Sequence, residues 1–171
     1  MITNKMADAL NEQIRAELQS AYLYLAMSLD ADSKTLKGVA NWFFVQWQEE
    51  QDHARIFQKY MLSQDAAVKL GPIDKVPCKW SSPLKMFEEA LEHEKQVTRL
   101  ITELVELAFR EHDLATLSRL QWFVDEQVEE EENVREQIDA FNRISGHSEL
   151  LGPLDASLLD RHYSPTPELF K

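Results

Sequence analysis

The sequence predicts an all-α protein: a bundle of four long helices with a long crossover between the second and third, and a short fifth helix near the C-terminus. Apolar residues recur at spacings of three and four through four long segments, as in helices with one face in a core. The chain has 171 residues, enough for one domain with a sizeable core. Its 4 Gly and 6 Pro are few, and most of the Pro lie outside the periodic segments.

The first hairpin of helices is expected over residues 5–30 and 35–63, with Thr3 or Asn4 as the N-cap of the first helix. The stretch DAAVKLGPIDKVPCKWSSP then interrupts the periodicity with glycine and proline. It is too long for a tight turn. A connection of this length crosses the full height of a bundle, so the second and third helices should run parallel.

The third helix should open with Ser82 as N-cap and Pro83 at its first position, and should end near His112. The fourth follows a very short break around Asp113 and should end at Gly146, a residue type suited to a C-cap.

A short fifth helix is expected over about residues 153–160, followed by an irregular tail. The chain is therefore interpreted as one domain spanning 1–171, with the bundle at about 5–145 and the fifth helix and tail at about 152–171.

Composition excludes several classes of protein. The net charge of −12 and the pI of about 4.8 make nucleic acid an unsuitable partner. The one cysteine, Cys78, is not part of a CxxC motif, which argues against a disulfide framework, a zinc site or a rubredoxin-type iron centre. There is no run of 18 apolar residues and no signal-peptide pattern, so we expect no membrane association and a cytoplasmic location.

Glu50 and His53 are the most informative residues of the chain. They lie on the apolar stripe of the second helix, which comprises Val39, Phe43, Gln46, Glu50, His53, Phe57 and Tyr60. A stripe at this spacing faces a core, where an unpaired charge is strongly destabilising. A metal ion is a partner that both a carboxylate and an imidazole accept.

The other three long helices repeat this anomaly, because Glu17, Glu94 and Glu130 interrupt their apolar stripes. Glu50 follows Glu17 by 33 positions, and Gln127 follows Glu94 by 33 positions. The chain thus consists of two helical hairpins of the same design. Four helices that direct polar groups to a common centre predict a di-metal site inside the bundle.

These segments resemble the non-haem bacterial ferritins. The resemblance covers about residues 5–145 and rests on the motifs NEQIRAELQSAYLYLAM, EEQDHA, EHEKQV and DEQVEEEENV. It implies a ferritin-like bundle and three iron positions, whose ligands are as follows. The first iron is assigned Glu17, Glu50 and His53; the second Glu50, Glu94 and Glu130; the third Glu49, Glu126, Glu129 and Glu130. Tyr24 and Gln127 match residues beside the centre.

The resemblance further implies iron storage with ferroxidase activity. Two Fe(II) ions would be oxidised by O2 or H2O2 at each di-iron site, and ferric mineral would collect inside a hollow shell of 24 chains. Tyr24 is placed to hydrogen-bond a ligand or to donate an electron. Haem is not expected, because Gln51 stands where the haem-binding bacterioferritins place a methionine ligand.

Two alternatives compete with this interpretation. One is a rubrerythrin-like di-iron peroxidase that stores no mineral, although the chain lacks a four-cysteine rubredoxin module and has a fifth-helix segment. The other is a non-enzymatic acidic helical scaffold with satisfied buried carboxylates. Iron titration followed by size measurement separates all three.

Overall fold

Two antiparallel helical hairpins pack side by side in the computed structural model, which describes residues 2–170. The elements follow in the order α1 (Asn4–Ser33), α2 (Lys37–Ser63), α3 (Pro83–Arg110), α4 (Leu114–Arg143) and α5 (Leu151–Ser157). Single 3-10 turns lie at Ser148–Leu150, Leu158–Asp160 and Pro167–Phe170. The described residues contain no strand, so the predicted all-α fold is confirmed.

Side chains cap the long helices where the sequence indicated. The Thr3 and Ser82 hydroxyls accept hydrogen bonds from the third residues that follow them, each at 3.1 Å, and fix the starts of α1 and α3. The ends are less regular. Thr35 and His112 adopt left-handed φ values of 61° and 55°, so α2 begins and α3 ends two residues inside the expected bounds. The α4 helix ends at Arg143 rather than Gly146, which instead turns the chain beyond the helix with φ 81°.

The crossover between α2 and α3 runs the length of α1. Three side chains, spaced along α1, form hydrogen bonds with the backbone of the crossover. Asn11 bonds to the Ala67 carbonyl and the Lys69 amide, Gln19 to the Asp74 amide, and Asp30 to the Trp80 amide. From Asn11 to Asp30 the helix rises about 28 Å. The segment therefore returns the chain to the start of α2, and α2 and α3 run parallel as predicted.

The core consists of two apolar clusters, one toward each end of the bundle. The first comprises residues such as Leu10, Phe57, Ile101 and Phe123, and the second residues such as Met27, Phe43, Phe87 and Phe141. Between them lies a layer of buried polar side chains contributed by all four long helices. The polar layer thus occupies the middle of the bundle, as the positions of the polar residues in the apolar stripes of the four helices predicted.

The C-terminal segment returns along α2. The Asp155 carboxylate accepts hydrogen bonds from the Gly38 and Val39 amides at 3.1 and 2.9 Å, at the N-terminus of α2. A Cβ on Gly38 would lie 1.5 Å from the Asp155 carbonyl oxygen, so only glycine permits this approach. Farther along, Tyr163 donates to Asp52 at 2.6 Å. None of the helices described is long and apolar enough to cross a membrane.

Candidate metal centre

The polar layer contains the predicted ligands of the first two expected metal positions. Glu17 comes from α1, Glu50 and His53 from α2, Glu94 from α3 and Glu130 from α4, and each is at most 3% exposed. The spacing of three between Glu50 and His53 places both on one face of α2. The two hairpins therefore bring together five ligand-type side chains that are far apart in sequence.

Glu17, Glu50 and His53 form the first close group. Each offers one ligand atom within 4.8 Å of the other two. Glu17 Oε2 and Glu50 Oε2 have no hydrogen-bond partner, and among the residues that the structure describes no other buried side-chain oxygen or nitrogen shares this condition. His53 Nδ1 lies 3.3 Å from Glu50 Oε2, an ion-pair distance when the imidazole is protonated, but forms no hydrogen bond to it. Unpaired buried carboxylate oxygens are costly, and a cation between them removes that cost.

His53, Glu126 and Glu130 form a second close group, also within 4.8 Å. His53 Nε2 lies 3.6 Å from Glu126 Oε1, so the imidazole faces a carboxylate from each of its two nitrogens. The family resemblance assigned Glu126 to the third position only, and nothing in the sequence indicated its approach to His53. The available signal was its spacing of four from Glu130, which puts both on one face of α4.

Glu94 is held differently from Glu17 and Glu50. The Tyr24 hydroxyl donates to Glu94 Oε1, and Gln127 Nε2 donates to Glu94 Oε2 at 3.1 Å. Glu94 therefore lies in the layer but belongs to neither close group. A carboxylate oxygen has two lone pairs, so each oxygen can keep its hydrogen bond and still bind a metal.

Two further buried glutamines orient the carboxylates of Glu17 and Glu130. Gln13 Nε2 donates to Glu17 Oε1 and Gln46 Nε2 donates to Glu130 Oε2, both at 2.8 Å. Neutral donors orient the carboxylates without cancelling their charge, which leaves the charge for a cation. Sequence reasoning assigned Gln13 no role, although its spacing of four from Glu17 on α1 was visible.

The buried carboxylates of the layer are more stable when they are protonated or bound to a metal ion than as unpaired anions. Burial raises the pKa of Glu50 well above its ordinary value, and the Glu94 charge adds to this. Burial and the Glu130 charge raise the pKa of Glu94 to about 8. Burial lowers the pKa of His53, but Glu126 and Glu50 outweigh it and raise that pKa well above its ordinary value. Metal binding must therefore release protons from the layer.

The four residues expected around a third position differ in burial and in how close they lie to the other ligands. Glu130 is buried and Glu126 half-buried, whereas Glu129 is exposed and belongs to no close group within the described chain. Burial raises the pKa of Glu49 to about 7, opposed by the guanidinium of Arg161. Arg161 Nη2 donates to Glu49 Oε2 at 2.6 Å. Nothing in the periodicity pointed to Arg161, since it comes from the tail.

Comparison with known proteins shows which family has a sequence of this kind. The family model described as the ferritin-like domain matches residues 7–144. The chain belongs to the ferritin family. Its relatives include the bacterial non-heme ferritin of Bacteroides fragilis, 41% identical over 143 residues, which are 84% of this chain and 90% of that protein. The bacterial non-heme ferritin of Staphylococcus saprophyticus is 35% identical over 163 residues, 95% of this chain and 98% of that protein.

Solved ferritin structures agree with the fold. An open-pore ferritin from the archaeon Archaeoglobus fulgidus has a TM-score of 0.93 and 45% identity, and covers 95% of this chain and 100% of its own. A closed form of that protein, engineered by site-directed mutagenesis, has a TM-score of 0.94 and 44% identity, and covers 96% and 100%. The resemblance to non-haem bacterial ferritins is thus confirmed, and the function class of this ferritin is iron storage.

Proposed function

We propose that this ferritin oxidises Fe(II) at a pair of sites in the polar layer and stores the Fe(III) product inside a closed shell of 24 chains. One observation carries the proposal. The unpartnered buried oxygens of Glu17 and Glu50 lie together with His53 in the middle of a bundle whose other buried side-chain nitrogen and oxygen atoms have hydrogen-bond partners among the described residues. A protein scaffold gains no stability from such a group, so the scaffold alternative leaves it unexplained.

Glu17, Glu50 and His53 are the ligands we assign to the first Fe(II). Glu50 is also assigned to the second Fe(II), together with Glu94 and Glu130. The mutual influence of these carboxylates supports the sharing, because the Glu94 charge raises the pKa of Glu50 and the Glu130 charge raises that of Glu94. One bridging carboxylate can hold two metal ions about 3.5–4 Å apart.

The paired arrangement suits two-electron chemistry. Two Fe(II) ions each release one electron, which together with two protons reduce O2 to H2O2, or H2O2 to two molecules of water. The protons displaced from His53 and the glutamates on metal binding lie close to this reaction. Tyr24, through its hydrogen bond to Glu94, is assigned to position that ligand and to supply a further electron when needed.

A third iron position is proposed beside the pair, with Glu126 and Glu130 as its central ligands and Glu49 and Glu129 at its margin. The close group of Glu126, Glu130 and His53 supports the central pair. Because Glu129 is exposed, we assign it to iron leaving or approaching the site rather than to the oxidised pair.

The test replaces the bridging residue. Glu50→Ala should abolish rapid Fe(II) oxidation while the shell still assembles, because loss of a buried carboxylate relieves repulsion in the metal-free layer. Oxidation is followed by stopped-flow absorbance, and assembly by size-exclusion chromatography. The exposed Glu132 of α4 provides a matched control, Glu132→Ala, which should oxidise Fe(II) at the wild-type rate.

Mineral retention separates storage from the rubrerythrin-like peroxidase. After many Fe(II) equivalents have been added under air, a storage protein should elute as a particle of several hundred kDa, built from chains of 19.9 kDa, with iron in the same fraction. A peroxidase would consume H2O2 catalytically and elute without excess iron. Wild-type oxidation by Glu50→Ala would refute the site assignment whatever the particle size.

A further inference from the structure

Arg161 connects the C-terminal tail to the candidate metal centre. Its backbone oxygen accepts a hydrogen bond from Asn41 Nδ2 at 2.9 Å, directly after the turn Leu158–Asp160. Its guanidinium lies over the ring of Trp42, 4.4 Å from the centroid. Both partners belong to the first turns of α2, so the tail is anchored to the helix that carries Glu50 and His53.

The guanidinium reaches two residues next to the polar layer. Arg161 Nη2 donates to Glu49 Oε2 at 2.6 Å and also to Gln46 Oε1. Gln46 in turn donates through Nε2 to Glu130 Oε2 at 2.8 Å. A continuous chain of hydrogen bonds therefore links a cation of the tail to Glu130, a residue assigned to two of the iron positions.

The positive charge of Arg161 stabilises the anionic forms of Glu49 and Glu130, as a bound metal ion would. Burial raises the pKa values of Glu49 and Glu130, and the Arg161 charge lowers both. A guanidinium stays protonated at all physiological pH values, so it cannot yield its place by losing a proton. It can make room for a divalent cation on Glu49 only by moving away.

We propose that Arg161 is a built-in counter-cation that competes with a divalent metal ion for Glu49, so that the tail is docked while the third position is empty and released when it is filled. The inference rests on the proposed role of Glu49 and Glu130 as ligands of iron in transit. By linkage, the docked tail weakens metal binding there by the same factor by which bound metal weakens tail docking. A weaker third position passes iron onward to the cavity instead of trapping it.

The first experiment measures binding without oxidation. Zn(II), which is redox-inert, is titrated calorimetrically into the assembled, metal-free protein. Arg161→Gln should bind Zn(II) about tenfold more tightly at one class of site per chain, within the usual range of coupling. Arg161→Lys, which keeps the charge, should stay nearer to wild type. Unchanged or weaker Zn(II) binding in an assembled Arg161→Gln shell would overturn the inference.

Arg119 provides the matched control. It pairs with Glu168 of the same tail at 3.1 Å and is 25% exposed at the side chain, against 21% for Arg161. Arg119→Gln removes a tail ion pair away from Glu49, so its Zn(II) affinity should equal that of wild type. An equal gain in both variants would show a general effect of loosening the tail, and would also overturn the inference.

The reciprocal experiment follows the tail itself. Hydrogen exchange of the amides in residues 158–164 should accelerate in wild type on saturation with Zn(II), and should not respond in Glu49→Gln. Absence of acceleration in wild type contradicts the proposal. Failure of the proposed function is distinguishable, because Zn(II) binding at the pair of sites that share Glu50 would then survive in Glu50→Ala. Loss of that pair in Glu50→Ala, together with unchanged Zn(II) affinity of the third position in Arg161→Gln, would refute only the competition.

Discussion

The Tyr24 hydroxyl of α1 donates a hydrogen bond to Glu94 Oε1 of α3, and both side chains are completely buried. The ring of Tyr24 is stacked on Phe43, with 6.0 Å between the centroids. Tyr24 therefore belongs to the apolar cluster through its ring and to the polar layer through its hydroxyl. The two contributions can be separated by a single substitution.

Tyr24→Phe should retain the ring packing and lose the donor to Glu94. We expect a loss of unfolding free energy of about 1–2 kcal/mol and an unchanged shell, because one buried acceptor loses one partner. Fe(II) oxidation should slow several-fold in stopped-flow experiments as Glu94 loses its fixed orientation. Tyr22→Phe is the control, since Tyr22 is 51% exposed on the same helix. Equal rates in the two variants would show that the Tyr24 hydroxyl has no part in the reaction.

The stability of the metal-free protein should depend on pH through the polar layer. The pKa of Glu94 is raised to about 8, above its unfolded value of 4.5, so the folded state holds this proton more tightly than the unfolded state. Its contribution is complete below about pH 4.5 and is lost as the pH rises toward 8. His53, with a raised pKa, acts in the same direction. The midpoint temperature of thermal unfolding should therefore decrease as the pH is raised from 5 to 8.

Glu94→Gln tests this pH dependence, because glutamine has the same shape and no titrating proton. The fall of the thermal midpoint between pH 5 and pH 8 should be smaller in the variant than in wild type. Saturation with Zn(II) should reverse the trend in wild type, since metal binds the deprotonated ligands. A variant whose midpoint follows the wild-type curve would show that Glu94 does not bear the proton.

Replacement of Glu126 and Glu129 should have unequal effects. Glu126 lies 3.6 Å from His53 Nε2, whereas Glu129 is exposed and outside both close groups. Glu126→Gln should change the Fe(II) to O2 stoichiometry and the turnover after the first oxidation, and Glu49→Gln should act likewise. Glu129→Gln should leave the first fast phase unchanged. An oxygen-electrode titration measures the stoichiometry, and loss of the fast phase in Glu129→Gln would contradict the division.

Haem should be absent from the protein purified from a haem-supplied culture. Gln51, at the position where a haem ligand would be required, donates its amide to the Trp47 carbonyl at 2.9 Å. Met61 and Met86 are fully buried and belong to the apolar clusters. The absorption spectrum should contain no Soret band. A band equivalent to one haem per two chains, abolished by substitution of one methionine, would show that this assignment is wrong.

Much of the candidate centre could be predicted because its signal is local. Periodicity at 3.6 residues per turn fixes which face of a helix each residue occupies, so Glu17, Glu50, His53, Glu94 and Glu130 stood out as polar residues on apolar faces. The equal spacing of 33 positions then aligned the two hairpins. The crossover followed from its length. The expected start of α2 and the expected ends of α1, α3 and α4 each differ from the structure by two or three residues, because turn geometry depends on single left-handed residues.

The sequence by itself determined the helices, the faces they bury and the depth of the polar layer, since each depends on neighbours within one or two turns. Only the tertiary structure decided which partners the ligands have. His53 between Glu50 and Glu126, the two unpartnered carboxylate oxygens, and Arg161 on Glu49 all join separate elements. The tail has no periodicity that ties it to α2. Its position depends on contacts such as Asp155 with Gly38, which form only after the bundle has packed.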